Sequence, residues 1–246
     1  MKPTITKLHR KLNALLDKAI WEYKMIETDD RVLVAVSGGA DSMALLKLLA
    51  PRVSIYGENI KLFGVYVDAG FGADADNRCD VISKNFAESQ IEGIVTRTDI
   101  GPYSHSDANR ENPCFLCSRL RRKKLFEAAE ELKCNKIVFG HHKDDIVETL
   151  LINMIWGREI STMSPNLPVF DGKYNVIRPF VFTQELLIKK FSVEQNIPWF
   201  DQGCPTDGHS KRQYVKELLD QIEGEVKGAR ENIFASMQKV KTKYLL

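Results

Sequence analysis

Long apolar runs are missing from these 246 residues: nothing approaches the roughly 18 consecutive apolar positions a membrane helix needs. The opening "MKPTITKLHRKLNALL" also lacks the uninterrupted apolar stretch of a secretory signal, so no membrane association and a cytoplasmic location are expected. Excess charge is missing too. With 35 Lys+Arg against 33 Asp+Glu, no global field draws the chain to nucleic acid, and any basic surface must be local. The five cysteines, Cys79, Cys114, Cys117, Cys134 and Cys204, are an odd number in a long chain, which argues against a disulfide framework. Internal repeats and low-complexity linkers are absent. So are the Walker pattern G-x-x-x-x-G-K-S/T and the dinucleotide fingerprint G-x-G-x-x-G, which sets those two phosphate-binding classes aside.

What is present is an alternation. "VLVAVS", "KLFGVYVD", "GIVTRTDI", "KIVFGHH" and "NVIRPFVF" read as five strands, separated by segments with helical spacing. Strands alternating with helices predict an α/β fold: a parallel twisted sheet with helices on both faces, ligands binding at the strands' carboxyl ends. Ser37, Asp68 and His141 fall at those ends. Apolar positions from Leu8 to Tyr23 predict an amphipathic first helix, and the polar tail contains two further helical stretches. The expected organisation is a helical segment over 1–28, a nucleotide-binding domain over 29–200 and a helical tail over 201–246.

The first strand runs into "SGGADS". Gly38 and Gly39 allow a sharp turn and a close backbone approach, and the following helix N-terminus favours an anion. This S-G-G-x-D-S stretch resembles the loop of the N-type ATP pyrophosphatase superfamily, whose fold is Rossmann-like (adenine nucleotide alpha-hydrolase-like). Its members cleave ATP between the α- and β-phosphates and attach AMP to an oxygen to be replaced. The resemblance implies that Ser37, Gly38, Gly39 and Ser42 cradle pyrophosphate, with Asp41 near the phosphates or Mg²⁺. Val67 and Gly140 join them as cofactor-binding candidates.

"NPCFLCSRLRRKKLF" places Cys114 and Cys117 just before an expected helix whose N-terminus would lower their pKa. Structural zinc calls for four ligands, and no second C-x-x-C follows; only Cys204 in "DQGCPTDG" stands apart. Three cysteines suit a 4Fe-4S cluster with one iron left open, and zinc remains the alternative. Cys134 reads as a buried small hydrophobe. In "GHHKDDIVETLLIN", Asp144, Asp145 and Glu148 share a helical face, where first-turn acids also serve as caps.

Together "SGGADS", "PCFLCSRLRR", "GHHKDDIVETLLIN", "NVIRPF" and "ENIFASMQKV" resemble, in order and across nearly the whole chain, the tRNA 2-thiocytidine synthetase branch of that superfamily. Two positions depart from it. Ala40 stands where family members usually carry lysine, and Cys204 stands alone where they tend to have a second pair, at the place of the third cluster ligand. The resemblance implies an ATP-dependent tRNA sulfurtransferase that adenylates a pyrimidine C2 oxygen, of cytidine in the anticodon loop. Its cofactors would be ATP, Mg²⁺ and a 4Fe-4S cluster on Cys114, Cys117 and Cys204. Its partners would be tRNA and a sulfur donor, either sulfide or a persulfide-carrying desulfurase, and a homodimer is compatible with it. Asp41, Asp144 and Asp145 are the catalytic candidates, with His141 as a base. Arg119, Arg121, Arg122, Lys123, Lys211 and Arg212 are the candidate RNA-binding residues, against the plain alternative of a solvated helix face. A cluster-free enzyme with zinc and an amine nucleophile, and a non-catalytic cluster or RNA-binding protein, are the competing classes.

Overall fold

The apolar runs assemble side by side. The computed structural model describes residues 5–72, 74–206 and 210–244. Its strands are β1 (Arg31–Val36), β2 (Lys61–Asp68), β3 (Glu92–Arg97), β4 (Lys136–Val138), β5 (Asn166–Val169) and β6 (Tyr174–Ile177). They form one six-stranded sheet in the order β3-β2-β1-β4-β6-β5. Every neighbouring pair is parallel except β5 with β6. Chain order reverses between β1 and β4, and the crevice beyond their carboxyl ends is where such sheets bind ligands.

The helices are α1 (Lys7–Glu22), α2 (Ala40–Leu49), α3 (Ala75–Glu88), α4 (Ile100–Ser104), α5 (Pro113–Glu131), α6 (Lys143–Ile152), α7 (Glu185–Glu194), α8 (Lys211–Glu225) and α9 (Ala229–Ser236). One apolar layer joins Val32, Val34, Val138 and Ile177 of the sheet to residues of α1, α2, α3, α6 and α7. Leu12, Leu16, Ala19 and Ile20 of α1 are fully buried there, and Val215, Leu219 and Phe234 bring α8 and α9 into the same layer. The opposite layer packs Leu125, Ala128 and Ala129 of α5 on Leu33, Val65 and Ile137. None of the described helices is long and apolar enough to cross a membrane.

Several boundaries differ from those read in the sequence. The fifth strand ends at Ile177, because Pro179 lacks the N–H that a continuing ladder would use. Its antiparallel partner β5 has no clear alternation and was not expected; the turn between them uses positive φ at Phe170, Asp171 and Gly172. Helix α7 was also not anticipated. Helix α6 begins at Lys143 and, after Ile152, widens into a π-helical turn over Asn153–Gly157. Cys114 and Cys117 lie inside the first turns of α5, not before it, because Asn112 caps the helix and Pro113 takes its first position.

Candidate active site

The turn after β1 is built to leave amides free. Gly38 adopts φ +85°, whereas Gly39 sits in extended backbone and caps α2, so only the first glycine needs its conformational freedom. Ser42 Oγ accepts from Ser37 N at 3.0 Å, lies 3.1 Å from Ser37 Oγ and donates to Gly39 O at 3.0 Å. Those bonds close the loop on itself. The N–H groups of Ala40, Asp41 and Ser42, in the first turn of α2, have no partner within the helix and point outward. Ala40 itself is buried.

Acids line the facing wall. His142 caps α6: its Nδ1 accepts from Asp145 N at 3.3 Å, and Asp145 Oδ2 accepts from His142 N at 3.0 Å. Asp145 Oδ1 pairs with Arg212 at 2.5 Å, and Arg212 also reaches the buried Glu148 at 3.1 Å. Asp144 turns away from the cleft and accepts from Glu185 N at 2.8 Å. Asp41 is the least engaged carboxylate: its Oδ1 is buried without a partner while Oδ2 lies 3.9 Å from His142 Nε2, and burial raises its pKa, with His142 opposing and Asp145 and Glu185 adding to the effect. Asp41, His142, Asp145, Glu148, Glu185 and Lys216 surround a cleft of about 230 Å³. Two acids with phosphate oxygens and water are the usual Mg²⁺ environment, so this donor set fits that ion.

His141 lies beyond β4, with its ring 5.5 Å from that of Phe139 and its Nδ1 unpartnered. Burial pushes its pKa down to about 4, so at neutral pH the ring is uncharged and a weak base. Beside it stands Arg178, only 9% exposed, with an unpartnered Nε and, among the described residues, no carboxylate within ion-pair distance. Burial lowers its pKa to about 10, and Arg122 adds to the shift.

The cysteines gather at the same edge. Thr206 Oγ1 lies 3.1 Å from Cys114 Sγ and 3.3 Å from Cys204 Sγ. Cys117 is close enough to both thiols to feel them, and burial raises its pKa, with Arg121 opposing. The helix N-terminus therefore does not activate Cys117 as its position suggested. All three are free thiols. Among the described residues no three His, Cys, Asp or Glu side chains are close enough to share a single ion. Two thiols on one hydroxyl with a third close by fit a cluster, which is wider than an ion. The segment bearing Cys204 is fastened to the glycine loop, since Phe200 N donates to Gly38 O at 2.9 Å and Gln202 Nε2 to Ser37 O at 2.8 Å.

The chain matches the PP-loop domain family over residues 4–222. The tRNA-cytidine(32) 2-sulfurtransferase of Syntrophotalea carbinolica is 35% identical over 243 residues, covering 98% of this chain and 93% of that protein. Its namesake from Nitrosospira multiformis is 36% identical over 245 residues, covering 98% of this chain and 80% of its own. This chain belongs to that sulfurtransferase family. Among solved structures, the U34-tRNA thiolase NcsA from Methanococcus maripaludis with its 4Fe-4S cluster shares the fold. It aligns at TM-score 0.77 and 21% identity over 94% of this chain and 79% of that one.

Against this PP-loop frame the residues singled out in the sequence divide. Ser37, Gly38, Gly39, Asp41, Ser42 and Gly140 meet at one edge; a Cβ on Gly140 would press on the backbone of Asp41 and Ser42. Val67 belongs to the apolar layer under α5, so only its backbone is available to a ligand. Asp68 is consumed by Arg78 at 3.2 Å and by the Tyr66 hydroxyl at 3.1 Å. Arg212 is held by acids inside the cleft and so is not a free RNA contact. Arg122 and Lys123 are exposed on α5, Arg119 pairs with Glu111 at 2.8 Å, and Lys211 lies 5.3 Å over the Trp156 ring. Arg178, Glu185, Phe200 and Gln202 were not singled out. Only Arg178 carried a signal, as the charge in the otherwise apolar "NVIRPF".

Proposed function

We propose that this chain is an ATP-dependent tRNA sulfurtransferase that replaces the C2 oxygen of a cytidine with sulfur. One observation carries it: the Cys114–Cys117 pair of α5 and the distant Cys204 collect at the sheet edge that also bears a lysine-free PP-loop, and Phe200 and Gln202 tie the two together. The relatives' printed name supplies the acceptor, cytidine 32 of tRNA.

The C2 oxygen is a poor leaving group, and its transfer to the α-phosphorus of ATP makes it part of departing AMP. Ser37 and the α2 amides at Ala40, Asp41 and Ser42 would receive the pyrophosphate whose charge grows in that step. Asp41 and Asp145 would hold Mg²⁺ together with phosphate oxygens, which explains why Asp41 keeps an unpartnered oxygen in the cleft. Asp144 acts at a distance, fixing the start of α7 against α6. His141, neutral at working pH, fits a hydrogen-bonding role toward the acceptor base better than that of proton acceptor.

Cys114, Cys117 and Cys204 would hold the 4Fe-4S cluster, which when bound supplies an iron from which sulfur can be delivered. The sulfur would come from sulfide or a persulfide-carrying desulfurase. Arg119, Arg121, Arg122 and Lys123, with the exposed Phe115 on the same helix, would steer the anticodon loop toward the cleft. The protein would act in the cytoplasm. The test is mass spectrometry of tRNA nucleosides with and without the gene, alongside ATP turnover by anaerobically purified protein. Loss of 2-thiocytidine, with AMP and pyrophosphate as products, is expected. An unchanged nucleoside profile would assign the chain another acceptor.

A further inference from the structure

Buried cations in this fold come with a carboxylate, with one exception. Among the described residues three Lys or Arg side chains are buried: Arg78, Lys136 and Arg178. Arg78 pairs with Asp68 at 3.2 Å, and Lys136 with Asp30 at 3.7 Å. Arg178 has no acid within ion-pair distance among those residues, and its buried Nε has no partner at all. A buried charge without a counter-ion opposes folding, so its retention points to a ligand that brings the opposite sign.

The fold fixes where this guanidinium stands. β6 ends at Ile177, in register with Val138 of β4, so Arg178 follows at the carboxyl edge beside the strand that leads to His141. Its N–H donates to Pro165 O at 2.9 Å, its carbonyl accepts from Val181 N at 3.1 Å, and Nη1 donates to Ser164 O. Arg178 is near enough to Arg122 on α5 and to Asp145 in the cleft to feel both charges, and it helps keep the His141 ring neutral. The other cations of the cleft are taken, Arg212 by Asp145 and Glu148 and Lys216 by Glu185. The α2 amides and an ion on Asp41 and Asp145 provide for pyrophosphate, which leaves the α-phosphate without a donor.

We infer that Arg178 is a catalytic residue that donates to a non-bridging oxygen of the ATP α-phosphate while that phosphorus passes to the acceptor oxygen. This rests on the AMP-forming reaction proposed above. In that step the bond from the cytidine C2 oxygen to phosphorus forms and the bond from phosphorus to the pyrophosphate oxygen breaks. Pyrophosphate leaves with the electron pair, and Arg178 keeps its protons. A forked guanidinium matches phosphate oxygens, and burial strengthens its hold on charge that grows there. The same phosphate departs in AMP when sulfur replaces the oxygen, so one side chain serves both steps. A tRNA backbone phosphate is the other source of this chemistry, but an exposed arginine such as Arg122 would suffice for that.

The test uses the full chain, reconstituted anaerobically, as Arg178→Met, which fills similar space without charge, and as Arg178→Ala. At saturating ATP and tRNA, AMP formation is expected to fall about 100-fold in Arg178→Met, with KM for ATP within about threefold of the parent. Its unfolding midpoint without ligands should match or exceed the parent's, because an uncompensated buried charge is gone. Added methylguanidinium should restore part of the rate in Arg178→Ala and leave the parent unchanged. Affinity for tRNA and its salt slope should stay as in the parent. Undiminished AMP formation in Arg178→Met overturns the assignment. So does a shallower salt slope with a normal rate at saturating tRNA, which gives the guanidinium to a tRNA phosphate. A lowered midpoint without methylguanidinium rescue makes Arg178 structural. Parent protein that forms no AMP with tRNA refutes the sulfurtransferase reading itself, and this role with it.

Discussion

The two halves of the site are held together by different means. Around the PP-loop the side chains that shape the cleft already hold one another, leaving the α2 amides and Asp41 Oδ1 for a ligand: Ser37 and Ser42 close the turn, His142 and Asp145 cap each other, and Arg212 spans Asp145 and Glu148. Around the cysteines, one threonine hydroxyl touches two thiols and a histidine, and Cys114 is exposed. The first half is organised by the chain, while the second awaits something that binds thiols. A preorganised half should tolerate loss of the other half's chemistry, and the reverse should hold less well because Phe200 and Gln202 hang from the loop.

The sharpest test of that asymmetry separates the two reactions. Cys204→Ser is expected to abolish sulfur insertion, by about 100-fold or more, while AMP formation with tRNA and thermal stability stay near the unaltered values. Asp41→Asn is expected to lower AMP and pyrophosphate formation by about 100-fold and leave iron content intact. Both are read by product analysis and metal assay. Loss of adenylation in Cys204→Ser would show that the halves are not independent.

A second test attacks the connection. Gly38→Ala would require a side chain at φ +85°, and its Cβ would overlap the Phe200 ring, 2.3 Å from its nearest carbon. A cost of about 2 kcal/mol is expected from strain and overpacking, read by chemical denaturation. Iron retention should fall as well, because the segment to Cys204 must shift. Combining it with Phe200→Ala should recover part of the loss, a non-additivity expected only of residues in contact.

These contrasts also explain what was legible in the sequence. The glycine turn, the C-x-x-C pair and the histidine–aspartate block are short motifs in which spacing along the chain equals proximity in space, so reading them placed most of the site. The parallel sheet and its ligand edge at the strands' carboxyl ends followed from alternation; the strand order did not. The connections across long sequence distance were hidden. Nothing near Phe200 announces contact with Gly38, and nothing in "RQY" tells that Arg212 turns inward to Asp145 rather than outward to phosphate. Such choices depend on which carboxylates the fold brings opposite a charge. His105 was passed over for the same reason, since the hydroxyl it meets, that of Thr206, lies beyond α7.

A third, smaller effect lies in acid. The unfolded His141 ring takes up a proton below about 6.5, whereas the folded ring does so only near 4. Between those values the unfolded state binds more protons, so stability falls as pH drops through the window. Allowing for partial exposure, the loss is roughly 1–2 kcal/mol. Glu185 acts further down: burial opposes its ionisation, yet Lys189 and Lys216 outweigh it and hold its pKa near 2, so its contribution is lost as pH falls from about 4.5 through that value. His141→Gln should flatten the stability profile between pH 6.5 and 4 and leave the lower limb unchanged, as read by denaturation at stepped pH. A profile equally steep in the variant would assign the acid sensitivity elsewhere.

The smallest effect belongs to the exposed face of α5, which the chain neither organises nor needs for stability. Lys123 is 70% exposed in its side chain, and its ion pair with Glu127, the only one among the described residues, is long at 3.9 Å. Such a pair contributes little, so Lys123→Ala should leave the unfolding midpoint unchanged within about 0.5 kcal/mol. If the side chain meets a tRNA phosphate, affinity falls about two- to threefold at moderate salt, and the slope of log affinity against log salt becomes shallower by about 0.7–0.9. The salt slope discriminates here, because a merely solvated lysine leaves it untouched. Arg122→Ala should behave similarly toward tRNA. It should also let the pKa of the buried Arg178 rise, since Arg122 is one of the charges holding it down. Equal salt slopes in both variants and the parent would remove α5 from the RNA path, and with it the expectation that tRNA approaches the site from the cysteine side.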